Sequence, residues 1–352
     1  MIGSIALLYT FLATPSVAVD VRAPRIEIPD VRVEAPPFAA PDAMTAEDDQ
    51  DEEDEDEHQA ERDARRSQRE RLREHREEMR GRDDFDPAFS GPPTARAKGK
   101  NGSATLPVKG PVTFRLRVQA GEAEVVASSK PQVAVTVSGT AKDDLQLLQY
   151  GDRVEPEFGG RTQLRHGRVR IELPKGSSVD FSSTSGDVTV QDVGGDVRVR
   201  TMSGDVKIAG ARTADVNSIS SDVNVNVTGP RLRLHVVSGN VTAATSDPAL
   251  NLDFESASGT LDWTGVCAKG CRLSAQTVSG DIRLQPDASK SSFELSYASH
   301  SGDLRDELNL SVKRAPTRKH GAMSGWLEAV YGKGEGVIEC DAFSGDLIVK
   351  KK

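Results

Sequence analysis

The chain has 352 residues, a formal net charge of −9, 31 Gly and only 5% aromatic residues. That length can bury a continuous core, and no run reaches the roughly 20 apolar residues of a membrane span, so an integral helical membrane protein is excluded as an expectation. Charge is unevenly divided: residues 1–90 hold 24 acidic and 12 basic side chains, residues 91–352 hold 30 and 33, and a domain this close to balance lacks the basic face that nucleic acid binding requires.

Residues 2–13 form an apolar run followed by the small-x-small triplet Ser16-Val17-Ala18. This pattern predicts a signal peptide over 1–18, although no Lys or Arg precedes it. The expected location is therefore exported, in the periplasm or at the cell surface, with no integral membrane span in the mature chain. No Cys follows the run, which argues against a lipid anchor.

Residues 19–110 read as a disordered linker in four parts. Prolines dominate 19–46, and 47–57 are acidic at all but one position, so self-repulsion prevents collapse. Residues 58–84 hold nine Arg and eight acids. Pairs such as Glu61 with Arg65 and Glu78 with Arg82 suit an exposed, coiled-coil-like charged helix, but there is no apolar stripe, and a solvated spacer is the simpler reading than a docking arm. Pro87, Pro92 and Pro93 mark the boundary.

An ordered domain is expected over 111–352. Phe114, Leu116 and Val118 alternate with polar residues, as do Val133, Val135 and Val137, and Val169, Ile171 and Leu173. Residues 143–160 read as a longer loop. From Ser185 onward a Ser-Gly-Asp motif recurs, and the spacings between its central residues are 9, 9, 17, 18, 20, 21, 22 and 43. The last interval reads as two units with one motif lost. A unit of roughly 20 residues suits one coil of a solenoid.

Four residues before each motif Ser stand Val199, Val216, Leu234, Phe254, Ala275, Tyr297 and Cys340, and six before stand Val197, Ala214, Leu232, Leu252, Leu273, Leu295 and Ile338. Polar residues lie between them, which is the period of a half-buried strand. The predicted fold is all-β, a single-stranded parallel β-solenoid (β-helix) of roughly 20-residue coils. Each motif is a structural corner turn, with Gly186, Gly195, Gly204, Gly280, Gly302 and Gly345 allowing positive φ. Asp187, Asp196, Asp205, Asp281, Asp303 and Asp346 close Asx turns.

Between Val312 and Gly336 the repeat breaks. Lys313, Arg314, Arg318, Lys319 and His320 lie there near Trp326 and Tyr331, the candidate partner-binding loop, because loops on rigid scaffolds carry function. Cys267 and Cys271 bracket a turn and form a candidate disulfide. Cys340 belongs to an inward column as a small hydrophobe.

Catalysis needs a nucleophile beside an oriented base, and the six His are scattered. The position three before each Ser reads Arg200, Asn217, His235, Glu255, Gln276, Ala298 and Asp341, with no clustered acids. A calcium ladder of corner Asp residues is interrupted by Asn240 and Thr260 and lacks a Gly-Gly-x-Gly-x-Asp signature. No catalytic, metal or cofactor site is expected.

The run from Gly151 to Val206, in which a strand, Leu173-Pro174 and polar residues lead into Ser-Gly-Asp-Val coils, resembles the bacterial adhesin-type β-repeat family DUF4097, also described as toast-rack domains. The approach Gly332 to Ile338 before Ser344-Gly345-Asp346-Leu347 is similar to the family's end. The resemblance covers about 111–350 and implies a non-enzymatic β-solenoid of the cell envelope, attributed to adhesion or to envelope stress responses, with no catalytic residues to carry over. The charged arm departs from it. The expected function is an adhesive or scaffolding surface module, binding an envelope protein or surface glycan through its strand faces or the 313–331 loop. The rivals are a polysaccharide-active β-helix enzyme and an envelope stress-response scaffold.

Overall fold

The computed structural model describes residues 92–138, 145–315, 317–319, 322–324 and 326–352. The expected signal peptide and residues 19–91 of the expected linker lie outside the described residues. Every regular element described is a strand, and no helix there is long and apolar enough to cross a membrane.

Each coil has two strand segments, one before and one after its Ser-Gly corner. On the first face Val179, Val197, Ala214, Leu232, Leu252, Leu273, Ile338 and Leu295 are successive parallel partners. On the second the series is Val188, Val206, Val223, Val241, Leu261, Ile282, Leu347 and Leu304. All but the half-buried Leu304 are buried, and the inward side chains of both faces form one apolar cluster that includes Trp263, Phe254 and Tyr297. The solenoid follows because equivalent aliphatic residues can share a dry interior only if the coils stack in register.

The nine-residue spacing is half a coil. Gly194 pairs with Ser177 at the start of the first face, so Gly195 and Asp196 stand at the opposite corner from Gly186 and Gly204. A full turn of chain is therefore the 18 residues from Gly186 to Gly204.

Glycine at the Ser-Gly corner is required mainly by close approach. A Cβ on Gly186, Gly204, Gly259, Gly280, Gly345 or Gly302 would come within 3 Å of the carbonyl oxygen of the corner glycine one rung away, a separation real Cβ atoms do not adopt. Gly204 and Gly239 also have φ of 112° and 129°, but Gly186, Gly280, Gly302 and Gly345 do not have positive φ. The turn-reversal argument thus fails for most corners: the parallel backbones there are simply too near for a side chain.

The same glycine ladder gives the stacking order, which departs from chain order twice. Thr113–Ser128 runs parallel to both Gln163–Pro174 and Ser177–Gln191 and lies between them. Gly336–Ser344 pairs with Arg272–Ser279 on one side and Phe293–Ser299 on the other, and Leu347–Val349 lies likewise between Ile282–Pro286 and Leu304–Asp306. No coil is missing from the 43-residue interval. It holds the cap strands, and the coil that follows them returns to an interior rung.

Antiparallel strands close both ends. Leu145–Tyr150 and Arg153–Phe158 form a hairpin within the stretch expected to be a loop, and Ala95–Lys98 adds to it. On the other face Gln132–Ser138 and Ser103–Pro107 continue the sheet from Gln163–Pro174. Two strands thus fall inside the expected linker, where the short segments ARAK and SATLP gain their order from pairing rather than from their own propensity. At the far end Trp326–Tyr331 pairs antiparallel to Phe293–Ser299, and Ser311–Arg314 pairs antiparallel to Trp326–Tyr331 in turn.

Candidate functional site

Parallel in-register stacking places equivalent outward residues side by side, and like charges there would repel. The first face avoids this by alternating sign. Reading along one outward column, Glu155, Arg115, Asp180, Arg198, Asp215, Arg233 and Asp253 follow one another rung by rung. Arg115 Nε lies 3.0 Å from Asp180 and its Nη1 3.8 Å from Glu155, while Arg198 Nε lies 3.6 Å from Asp215.

Two shallow grooves adjoin on this face. One, of about 330 Å³, is lined by residues including Asp196, Arg212, Arg231 and Asn251. The other, of about 300 Å³, is lined by Arg231, Arg233, Asn251, Asp253, Arg272, Ser274 and Glu339 among others. Arg231, Asn251 and Arg272 are consecutive rungs of one outward column, so guanidinium groups of two coils, with an amide between them, border one surface.

His235 sits at the next outward column, its Nδ1 3.2 Å from Glu255. Burial of the ring opposes its charge, but the hydrogen bond and charge of Glu255, with Asp253 and Asp215 beyond, outweigh burial and leave its pKa raised. This is an ion-pair arrangement.

The corner acids bridge coils instead of closing Asx turns. Asp205 N–H donates to Asp187 Oδ1 at 2.8 Å, Asp346 N–H to Asp281 Oδ1 at 3.1 Å, and Asp303 N–H to Asp346 Oδ1 at 3.0 Å. Each carboxylate thus meets the backbone of its own counterpart one rung on, the donor nearest to it in a parallel stack. Asp222 does the same for Asn240 at 2.9 Å, because the donating position acts through its backbone and need not be acidic. Arg283 and Arg305 neutralise Asp281 and Asp346 at 3.1 Å each. Asp196, at the other corner, pairs with Arg212 at 2.8 Å. Among the described residues no group of three or more His, Cys, Asp or Glu is arranged to hold a metal ion.

Nearly all of the described residues within 313–331 are in strands rather than in an open loop. Lys313 and Arg314 lie in Ser311–Arg314, and Lys313 Nζ is 2.9 Å from Glu294. Arg318 and Lys319 belong to a small hairpin of Thr317–Lys319 with Ala322–Ser324, and Trp326 begins Trp326–Tyr331. His320 lies outside the described residues. Tyr331 packs against Phe293 with ring centroids 5.6 Å apart and donates its hydroxyl to Ala288 O at 2.9 Å, which makes it part of the cap. The segment therefore does not bring these seven residues into one described cluster.

Cys267 and Cys271 are bonded to each other with Cα atoms 5.3 Å apart, at the corner where Gly336 of the inserted strand approaches Cys267 Sγ closely. Cys340 is buried and free, and burial pushes its thiol well up, so it carries no thiolate chemistry.

Set against known proteins, residues 115–350 match a family model described as Toastrack DUF4097. No curated protein matches the chain. Among solved structures it is similar to a “putative cell adhesion protein” from Clostridium sporogenes, at 11% identity and TM-score 0.22, covering 72% of this chain and 100% of that one. It is also similar to a “putative adhesin” from Parabacteroides distasonis, at 11% identity and TM-score 0.33, covering 71% and 97%.

Proposed function

This chain belongs to the Toastrack DUF4097 family, and on that footing we propose that it is an exported, non-enzymatic binding scaffold of the cell surface, adhesive in character. The observation that carries this reading is the first face itself, where Arg231, Arg233 and Arg272 border adjoining shallow grooves with Asn251 and Ser274 between them. A rigid sheet with groups repeated at every rung suits a ligand that is itself repetitive or extended, and guanidinium forks pair well with carboxylate, sulfate or phosphate groups. The partner is accordingly a surface glycan or envelope protein that presents such acidic groups.

The test is retention of the purified full chain on immobilised envelope material, compared with Arg231→Glu/Arg233→Glu/Arg272→Glu and with a variant lacking residues 313–331. The triple variant is expected to lose at least tenfold in apparent affinity, with binding that falls as salt rises. Unchanged retention of the triple variant, or release of an altered saccharide by the wild type, would overturn the reading.

A further inference from the structure

Met202, Ile219 and Val237 are 54%, 49% and 51% exposed, and they are three of the four large apolar side chains so exposed among the described residues. They are not scattered. Each stands one position before its corner Ser, and the flanking pairs Thr201 with Ser218, Ser203 with Ser220, and Ser220 with Ser238 place them on consecutive rungs. The same position continues as the half-buried Ala257, Val278 and Phe343, and His300 stacks on Phe343 with ring centroids 5.0 Å apart. Elsewhere the outward positions of this face are charged or polar apart from the half-buried Ala298 and Val337. An apolar line over six successive coils marks an interaction surface.

We infer that this corner stripe is the docking surface for an amphipathic helix of a partner protein, with an apolar line bordered by basic residues. The inference rests on the reading of the chain as a binding scaffold and places a second partner class on a different edge from the Arg-lined grooves. Spacing selects the helix. Rungs are about 4.8 Å apart, so six rungs span about 24 Å. A helix advances about 5.3 Å for each alternate three- or four-residue step between apolar side chains, nearly one contact per rung over about 16 residues, whereas alternate residues of a strand advance about 6.7 Å and fall out of step.

Charge selects the border. Past the corner run Asp187, Asp205, Asp222, Asp281, Asp346 and Asp303, one per rung with gaps only at Asn240 and Thr260. Asp281 and Asp346 are paired with Arg283 and Arg305, while Asp205 and Asp222, beside the most exposed part of the line, repel an anionic membrane and favour Lys or Arg beside the helix's apolar line. A second copy of the chain is disfavoured, because a stripe about 24 Å long offers far less than the roughly 800 Å² per partner of a standard interface.

The full chain is titrated with three labelled 18-residue peptides: a Leu stripe bordered by Lys, the same stripe bordered by Glu, and a scrambled Lys peptide. Vesicles of phosphatidylcholine with and without phosphatidylglycerol are run beside them, with Ile219→Ser/Val237→Ser and Ile219→Thr/Val237→Thr as variants. The Lys-bordered peptide is expected to bind saturably, and the Glu-bordered and scrambled peptides at least tenfold more weakly. Both variants are expected to weaken the Lys-bordered peptide at least tenfold, and the Thr variant, which keeps the β-branch, at an unchanged Tm. No saturable binding, equal binding by the variants, vesicle binding that the variants abolish, or a concentration-dependent dimer that they abolish would each overturn the inference. Envelope retention that survives all of these results leaves the scaffold reading standing, so the two fail separately.

Discussion

The middle of the stack and its two inserted rungs are built from the same column chemistry but wired differently. Between Gly186 and Pro286 each coil packs on the one that precedes it in the chain, 17 to 21 residues earlier at the corner. At the insertions the partners are remote: Arg115 bonds Asp180 and Asp346 N–H bonds Asp281, both 65 residues apart. A solenoid made only of sequential coils unravels rung by rung from either end. Here a rung near each end cannot leave until the cap beyond it has gone, so long-range closure trades slower folding for resistance to fraying.

The sharpest way to break this comparison is a chain ending at Tyr331. It removes the rung shared by Arg272–Ser279 and Phe293–Ser299 and should cost more than about 4 kcal/mol. In hydrogen exchange, residues 293–314 are expected to lose protection while 186–265 retain it. Equal protection throughout would mean that the insertion locks nothing.

Next in size, Gly345→Ala in the inserted rung and Gly259→Ala in the sequential part each force a Cβ toward a neighbouring carbonyl. Each should cost about 3 kcal/mol in urea unfolding. Gly110→Ala, with nothing within 4 Å of its added Cβ, is expected to change stability by less than about 0.5 kcal/mol. A much smaller loss at Gly345 than at Gly259 would show the insertion to be the looser of the two.

Arg115→Glu sets an acid between Glu155 and Asp180 and is expected to cost about 1 kcal/mol, given the partial exposure of all three groups. Adding Asp180→Arg restores an opposite pair with residue 115 but sets a second Arg beside Arg198 and leaves Glu155 facing the new acid, so it should recover only part of the loss in a double-mutant cycle. The smallest effect is at His235. Its folded pKa is raised, so its contribution is fully present below the unfolded value near 6.5 and is lost as pH rises through the raised value. His235→Gln should therefore lower Tm more at pH 5.5 than at pH 8.5, and a pH-independent difference would remove the ion pair from the account.

Much of the architecture was legible because inward columns repeat their chemistry: Val199, Val216, Leu234 and Phe254 are all buried, as their alternation requires. Stacking order was not, and for a physical reason. Ile338 and Cys340 offer the same alternating inward pattern as Leu295 and Tyr297, so periodicity cannot say which rung lies next to Leu273. The hairpin at 145–158 and the strands at 95–107 were hidden because short strands owe their order to partners distant in sequence. Corner glycines were visible, but their cause was misassigned, since backbone proximity between coils leaves no mark distinct from that of a positive φ. At the surface, the alternation of Arg198, Asp215, Arg233 and Asp253 was already on the page as polarity, and only the register shows it as alternating sign. The Met202, Ile219 and Val237 line lies one residue before each corner and becomes visible once that single offset is aligned.

The inserted rung also sets a schedule for biosynthesis. Residues 336–349 are translated after both strands they separate, so a nascent chain that has emerged only as far as Tyr331 holds Leu273, Ala275, Leu295 and Tyr297 with no rung between them. Those apolar edges await a late arrival, and a holding chaperone or an unfolded route across a membrane would suit that interval better than folding as the chain emerges.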